Sequence, residues 1–175
     1  PRRGAFVASI DNDAIADIFN IRALHLGLAA RYAALMAGPE ALDEIDDRIA
    51  VMERLAEIED MSPIDFAVAS GRAGSAIGRA AGSMVLKSVL VDFAEGMFWD
   101  LIWREHLVDF LTPERRREVT VKWRHAAALI RAGDGVAAEI ALRDLLHENR
   151  DIAFARLSLP GSAPPDRRRM IRAAE

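Results

Sequence analysis

Residues 123–146, WRHAAALIRAGDGVAAEIALRDLL, decide the fold because they read as two helices joined by a tight turn. Gly133 stands where a helix needs a left-handed residue after its last turn, and the Asp134 carboxylate can cap the helix that follows. Apolar residues recur before the turn at helical spacing, at Val119, Trp123, Ala126 and Ile130. A second apolar face follows it, at Ala138, Ala141, Leu142 and Leu145. The stretch therefore predicts a helical hairpin.

Outside this hairpin, capping residues and first-turn prolines predict further helices, and no segment after the first few residues alternates with period two. The predicted starts are Asp11, Pro39, Ser62, Met84 and Thr112. We therefore expect an all-α antiparallel bundle of about six or seven helices. Residues 11–159 would form the domain, and residues 160–175 a polar, exposed tail that includes the arginine run 167–169. The apolar run 84–103 is interrupted by charges, which predicts a buried helix rather than a membrane span.

The helix faces are predicted from the same periodicity. The first helix is expected to bury a stripe of large apolar residues: Ile18, Ile21, Leu24, Leu28, Tyr32 and Leu35. The second is expected to bury Leu42, Ile45, Ile49 and Met52. The acidic cluster at residues 43–47 and the basic run at 115–117 are both interpreted as solvated surface. The helix from Met84 is apolar nearly all round, so the bundle and a second subunit are expected to cover it.

The totals exclude several function classes. The 175 residues carry 23 basic and 27 acidic side chains, a formal charge of −4, with no cysteine. An acidic domain is not expected to grip DNA by itself. Without cysteine there is no disulfide, thiolate metal site or cysteine catalysis, and the composition fits a cytoplasmic protein.

Three short motifs resemble the FCD domain, the helical effector domain of FadR-type regulators in the bacterial GntR family. They are Phe19-Asn20-Ile21-Arg22 leading to residues 28–30, Ala80-Ala81-Gly82-Ser83, and Ile130-Arg131-Ala132-Gly133-Asp134. The resemblance implies a transcription regulator that binds a small-molecule effector and forms a homodimer. Two positions depart from the family pattern: Leu26 stands where it has glutamate, and Ser83 where it has asparagine.

The first ten residues add to this resemblance. Residues 3–8, RGAFVA, are similar to the last strand of the winged helix in GntR regulators. Residues 1–10 are therefore expected to be a strand remnant of a winged helix-turn-helix domain that is absent from this chain and contacts DNA. The alternative is an N-terminal arm whose similarity is accidental.

The resemblance also implies a metal site that this sequence lacks. Many FCD domains hold a divalent ion with an aspartate and three histidines. Counting from the motif positions Ser83 and Asp134, which we call the family register, puts these ligands at Ser70, Gly74, Trp123 and Leu145. Of these four side chains only serine could ligate a metal, and only weakly. Shifting the register by two residues would bring in His125 and His147 but leave the first pair without ligands. We therefore predict no metal and no other cofactor.

The same positions predict an apolar pocket, because a serine and a glycine vacate space that a tryptophan and a leucine can fill. Burying such a side chain stabilises by about 2–3 kcal/mol. The pocket would accept a small organic acid or acyl compound, with Arg22 pairing with its carboxylate. Arg22 could instead pair with Asp65 or Asp100. Trp99 and Trp103, one turn apart, complete the candidate ligand contacts.

Four glycines recur in the third helix and its end, at positions 71, 74, 78 and 82. Each glycine inside a helix costs about 1 kcal/mol relative to alanine, so close approach of a helix or a ligand is expected there. Motifs typical of hydrolases, zinc proteases, nucleotide-binding loops and dinucleotide-binding folds do not occur. We therefore expect no enzyme and no catalytic residues. Two alternatives stay open: a ligand-free dimerisation bundle plugged by Trp123, or a small helical enzyme with an apolar pocket.

Overall fold

The computed structural model describes residues 11–95, 109–156, 164–170 and 172. Six α-helices lie in this part: α1 (Asn12–Met36), α2 (Pro39–Ala56), α3 (Pro63–Ala80), α4 (Met84–Glu95), α5 (Pro113–Arg131) and α6 (Gly135–Arg156). The predicted all-α bundle is confirmed, whereas the expected strand remnant at residues 1–10 lies outside the described residues. Within the described ranges, no helix combines the length and apolar character that crossing a bilayer requires.

The helix starts lie where capping side chains predict them. Ser62 and Thr112 accept hydrogen bonds from the third residue of α3 and α5, at 3.4 and 3.2 Å. Asp134 accepts one from the Ala137 amide at 3.0 Å, at the start of α6. Gly133 has φ +78°, the left-handed conformation that the hairpin turn requires. The hairpin of α5 and α6 therefore forms as its local sequence predicts.

α1 lies at the centre of the bundle and packs most extensively against α6. It also contacts α3, α4 and α5, while α2 packs against α3 and α5. α1 and α6 come very close to each other at two glycines. A Cβ added at Gly27 would lie 2.6 Å from Arg143 Cγ, and one added at Gly135 would lie 3.0 Å from the Arg31 carbonyl oxygen. Glycine at these two positions therefore permits the central α1–α6 contact.

The expected role of the α3 glycine row is only partly right. At Gly74 an added Cβ would be in ordinary contact with two side chains, but at Gly71 nothing lies within 4 Å. Gly82 has φ +65° and lies after the helix end. Gly74 therefore serves a helix contact and Gly82 a turn, whereas Gly71 faces open space and Gly78 is buried in the helix, because residues at this spacing do not all face the same neighbour.

The predicted buried stripe of α1 is wrong. Leu24 and Leu35 are 53% and 67% exposed, Ile21 and Tyr32 are also exposed, and Ile18 and Leu28 are only partly buried. The side that faces the bundle carries mostly small residues, together with three larger ones. Its members are Ile15, Ala16, Phe19, Ala23, Leu26, Ala29, Ala30 and Ala33. Small side chains allow neighbouring helices to come close to α1, so the tight packing uses this face. The α2 face is confirmed, since Ile45, Ile49 and Met52 are buried.

The acidic cluster of α2 is part of an ion-pair ladder with α5. Three arginines at intervals of seven residues on α5 donate to acidic residues of this cluster, of the rest of α2 and of its C-cap: Arg117 to Glu57, Arg124 to Glu53 and Asp46, and Arg131 to Asp46 and Asp43. Seven residues make about two helical turns, so the three guanidinium groups share one face. The cluster thus holds α2 against α5.

Residues 164–170 and 172, here called the C-terminal strap, return to the bundle. Its 3-10 turn, Arg167–Arg169, contacts α1. Arg167 and Arg168 are exposed, as expected of a polar tail, but Arg169 lies half-buried against α1. The expected exposed tail is therefore wrong for this part of residues 160–175.

Candidate functional site

The centre of the predicted pocket is filled by Trp123 of α5. The indole is 1% exposed. A Cβ added at Gly74 of α3 would lie 3.6 Å from its Cη2 atom and 3.6 Å from both δ-carbons of Leu26 on α1. Three helices therefore meet where a glycine leaves room for an indole and a leucine. The structure brings these two predicted positions, Gly74 and Trp123, into contact.

The other two positions of the family register are buried beside this contact or on a neighbouring helix. Ser70 lies one turn before Gly74 on α3 and is buried, and Leu145 is buried on α6. None of the four side chains can hold a divalent ion except, weakly, the serine hydroxyl. Among the described residues, no three histidine, aspartate or glutamate side chains converge in a way that could bind a metal. These residues do not fit the family's metal.

Arg22 lies on α1 one turn before Leu26, which brings it near the Gly74–Trp123 contact. Its side chain is half-buried, and burial lowers its pKa to about 10. A guanidinium that has lost part of its hydration favours a neighbouring anion. Asp65, one of its two predicted partners, is exposed at the start of α3. Asp100, Trp99 and Trp103 lie outside the described residues.

One polar atom of the pocket centre lacks a partner. Trp123 Nε1 is buried and has no hydrogen-bond acceptor among the described residues. A buried N–H group without an acceptor costs about 1–3 kcal/mol, so such groups are rare and call for an explanation. An oxygen atom of a bound molecule would satisfy this donor.

A buried polar network lies at the start of α5. It was not predicted from the sequence. Arg115 donates to Asp109 at 3.0 Å, to Glu148 at 2.6 Å and to Asn149 at 2.7 Å. Burial disfavours its charge, but the hydrogen bonds that it donates to the carboxylates outweigh that effect and raise the pKa of Arg115. The network fixes the connection before α5 to the middle of α6.

Arg116 corrects the expectation that the basic run 115–117 is solvated. It is 1% exposed and donates to the carbonyl oxygens of Phe110, Ile58 and Glu59, at 3.1, 2.6 and 3.2 Å. The helical spacing carried a signal for this, because Arg116 lies three residues before Val119, which begins the apolar stripe. A guanidinium on that face must find acceptors inside the fold.

An open groove of about 710 Å³ lies between α5 and α6, on the outside of the hairpin. Its apolar part is lined by Leu129, Ala137, Ile140, Ala141 and Leu145, and its polar part includes Lys122, Glu148 and Arg172. Lys122 forms ion pairs with Glu118 and Glu148. Of the predicted ligand contacts, the groove includes only Leu145, so it is a surface separate from the pocket centre.

Comparison with known proteins identifies one family. The sequence model of the FCD domain matches residues 17–148, which is more than half of the chain. The matched range extends from the first turns of α1 to the last third of α6, and it includes Arg22, Ser70, Gly74, Trp123 and Leu145. No curated protein matches the chain at a significant level.

Proposed function

The chain belongs to the FCD domain family, the regulatory domains of GntR-type regulators, and from that premise we propose that it senses a small-molecule effector without a metal. The effector is a small organic acid or an acyl compound that enters the bundle where α1, α3 and α5 meet. Its binding shifts the positions of the helices, which requires different affinities for two arrangements of the bundle.

The buried Trp123 Nε1 group carries this proposal. It is a hydrogen-bond donor without an acceptor among the described residues, in the position where the family register has a metal ligand. A carboxylate or acyl carbonyl oxygen would accept from it. Gly74 and Ser70 line the same place from α3, one turn apart, and the indole would have to shift to admit a small ligand there.

Arg22 supplies the charge for an acidic effector. It lies one turn before Leu26, whose side chain is in van der Waals contact with the position of a Gly74 Cβ. The lowered pKa of Arg22 reflects a desolvated cation, and a guanidinium can bind a ligand carboxylate through two parallel hydrogen bonds. The apolar side chains around Trp123 and Leu145 favour a ligand with a hydrocarbon body.

Thermal unfolding in the presence of short carboxylates, dicarboxylates and acyl-coenzyme A compounds tests the proposal. A compound that binds the folded state raises the unfolding temperature with its concentration. Trp123→Phe keeps one aromatic ring but removes the N–H together with the five-membered ring, so we expect it to fold and to bind the active compound about tenfold more weakly or worse. Equal stabilisation of both proteins would contradict the role of Trp123 Nε1.

A ligand-free bundle is the second candidate, favoured by the close fit of the indole against Gly74. In this case Trp123 permanently fills the position of the lost ion, and the domain serves only to dimerise. No compound of the panel would then stabilise the unchanged protein. Trp123→Ala would open an apolar cavity, and a small apolar compound such as benzene would stabilise only that variant.

Homodimerisation through α1 and α4 is part of the same proposal. Leu24, Leu35 and Met36 on α1, and Met84 and Val85 at the start of α4, are between 53% and 77% exposed. Large apolar side chains exposed in this number favour an interaction site. We propose that two copies bury it together, which would set the spacing of two winged-helix domains that bind DNA in the bacterial cytoplasm.

Light scattering coupled to gel filtration tests the dimer. Leu24→Glu is expected to give a monomer, because a charge would be buried between two copies. The matched control is Ile140→Glu, since Ile140 is 49% exposed on α6, away from the proposed interface. A Leu24→Glu protein that remains dimeric would contradict the interface.

A further inference from the structure

The seam between α1 and α6 has the chemistry of a peptide-binding site, because its polar groups meet the backbone of the C-terminal strap. Asn20 Nδ2 on α1 donates to the Arg169 carbonyl oxygen at 2.8 Å. Arg150 on α6 donates to the carbonyl oxygens of Arg169 and Met170, at 3.2 and 2.7 Å. The Asp166 amide donates to Asp13 at 2.8 Å. These contacts recognise the backbone of the strap, at and after its 3-10 turn, rather than apolar side chains.

Arg150 is the central group of this peptide-binding site, here called the seat. Its side chain is 0% exposed, which is unusual for a cation and tolerable only when its N–H groups find acceptors. Besides the two strap carbonyls, it donates to Asn20 Oδ1 at 2.6 Å and to Asp151 Oδ1 at 2.8 and 2.9 Å. Without the strap, the guanidinium would lose two acceptors and its cover. The seat is therefore complete only when a peptide lies in it.

Carboxylates on both helices recognise the strap's arginine side chains. Arg169 pairs with Asp13 and Asp17, which lie one turn apart on α1. Arg172 donates to Asp151 on α6 at 2.8 Å. Arg168 differs, because its side chain is 87% exposed and its described bonds go only to Asp166, within the strap itself. The seat thus distinguishes Arg169 and Arg172 from their neighbour.

No described strap residue belongs to the hydrophobic core, so polar contacts hold the strap. Such contacts form and break more readily than buried apolar packing, because water can replace each partner. We propose that the α1–α6 seam is a binding seat for an arginine-bearing peptide that forms a short 3-10 turn, and that the chain's own strap occupies it as a reversible latch. The latch holds the first three turns of α1, through Asp13, Asp17 and Asn20, against the end of α6.

A cleavable full-length protein tests this, with a protease recognition sequence inserted between Ser162 and Ala163. After cutting, native mass spectrometry should find the strap still bound, and a labelled peptide of residues 163–175 should exchange into the seat. As a competitor, the peptide with Arg169→Ala should bind about tenfold more weakly, whereas Arg168→Ala should stay within about twofold. A strap that separates at once, or one that never exchanges, would overturn the proposal.

The intact chain provides a second test in case the cut protein unfolds. Hydrogen exchange of residues 11–20 should be faster in Arg169→Ala than in the unchanged protein, while Arg168→Ala leaves it unchanged. Exchange in α2, which the strap does not touch, serves as the internal control. Equal exchange in both arginine variants would show that the strap does not hold α1.

Discussion

Replacing Gly27 by alanine is expected to destabilise the protein, although alanine is favoured by about 1 kcal/mol at an ordinary position inside a helix. The new Cβ would lie 2.6 Å from Arg143 Cγ, 3.0 Å from Arg143 Cδ and 3.2 Å from the Glu139 carbonyl oxygen. The Arg143 side chain can turn away, but the carbonyl belongs to the α6 backbone and moves only with the helix. Overpacking of this kind costs about 1–3 kcal/mol, so the net effect is a loss of zero to about 2 kcal/mol.

Gly71→Ala is the matched control. Gly71 also lies inside a helix, but a Cβ there would meet nothing within 4 Å. The same substitution should therefore stabilise the protein by up to about 1 kcal/mol. The two variants should differ in free energy of unfolding by about 1–3 kcal/mol, measured by urea denaturation followed by circular dichroism. If Gly27→Ala stabilises as much as Gly71→Ala, α1 and α6 are not as close as described.

Three further predictions concern buried and paired charges. Arg124→Gln should lower stability by about 0.5–1 kcal/mol through its lost pair with Glu53, and unfolding measured at low and high salt should show the loss shrinking as salt rises. Arg116→Met should cost about 2–4 kcal/mol, because three carbonyl oxygens lose a buried donor; an unchanged unfolding temperature would contradict that burial. His147 is buried, and its pKa lies below the ordinary 6.5. Burial is the main cause, and the positive charges of neighbouring arginines add to it. As the pH falls, His147 therefore binds a proton in the unfolded chain before it does so in the folded protein. The stability that is present above about pH 6.5 is lost as the pH falls below that value. His147→Gln should flatten this part of the profile of unfolding free energy against pH.

Helix boundaries were predictable because the groups that set them are local. Ser62, Thr112 and Asp134 cap the helices that follow them, and each bond spans only three residues. Gly133 adopts a positive φ that its neighbours would reach only with strain. Family membership was predictable for a related reason, since two of the three short motifs that carry the resemblance lie at helix ends and turns.

The buried polar groups were harder to predict. Arg150 finds its acceptors on α1 and on the strap, the nearest strap residue being 19 positions away. Arg115 likewise depends on Glu148 and Asn149 of the next helix. A basic residue in a sequence is ordinarily interpreted as surface, because only the folded chain brings distant acceptors around it.

The amino-acid sequence by itself determined the helices, their ends and the family, because caps, turns and apolar spacing act within a few residues. Tertiary structure alone decided which side of α1 is buried. Both sides carry apolar residues, so periodicity does not distinguish them, and the side lined with alanines and Gly27 is buried because it lets α6 approach closely. The exposed side, with Leu24 and Leu35, was thereby left as the surface on which a second copy is proposed to bind.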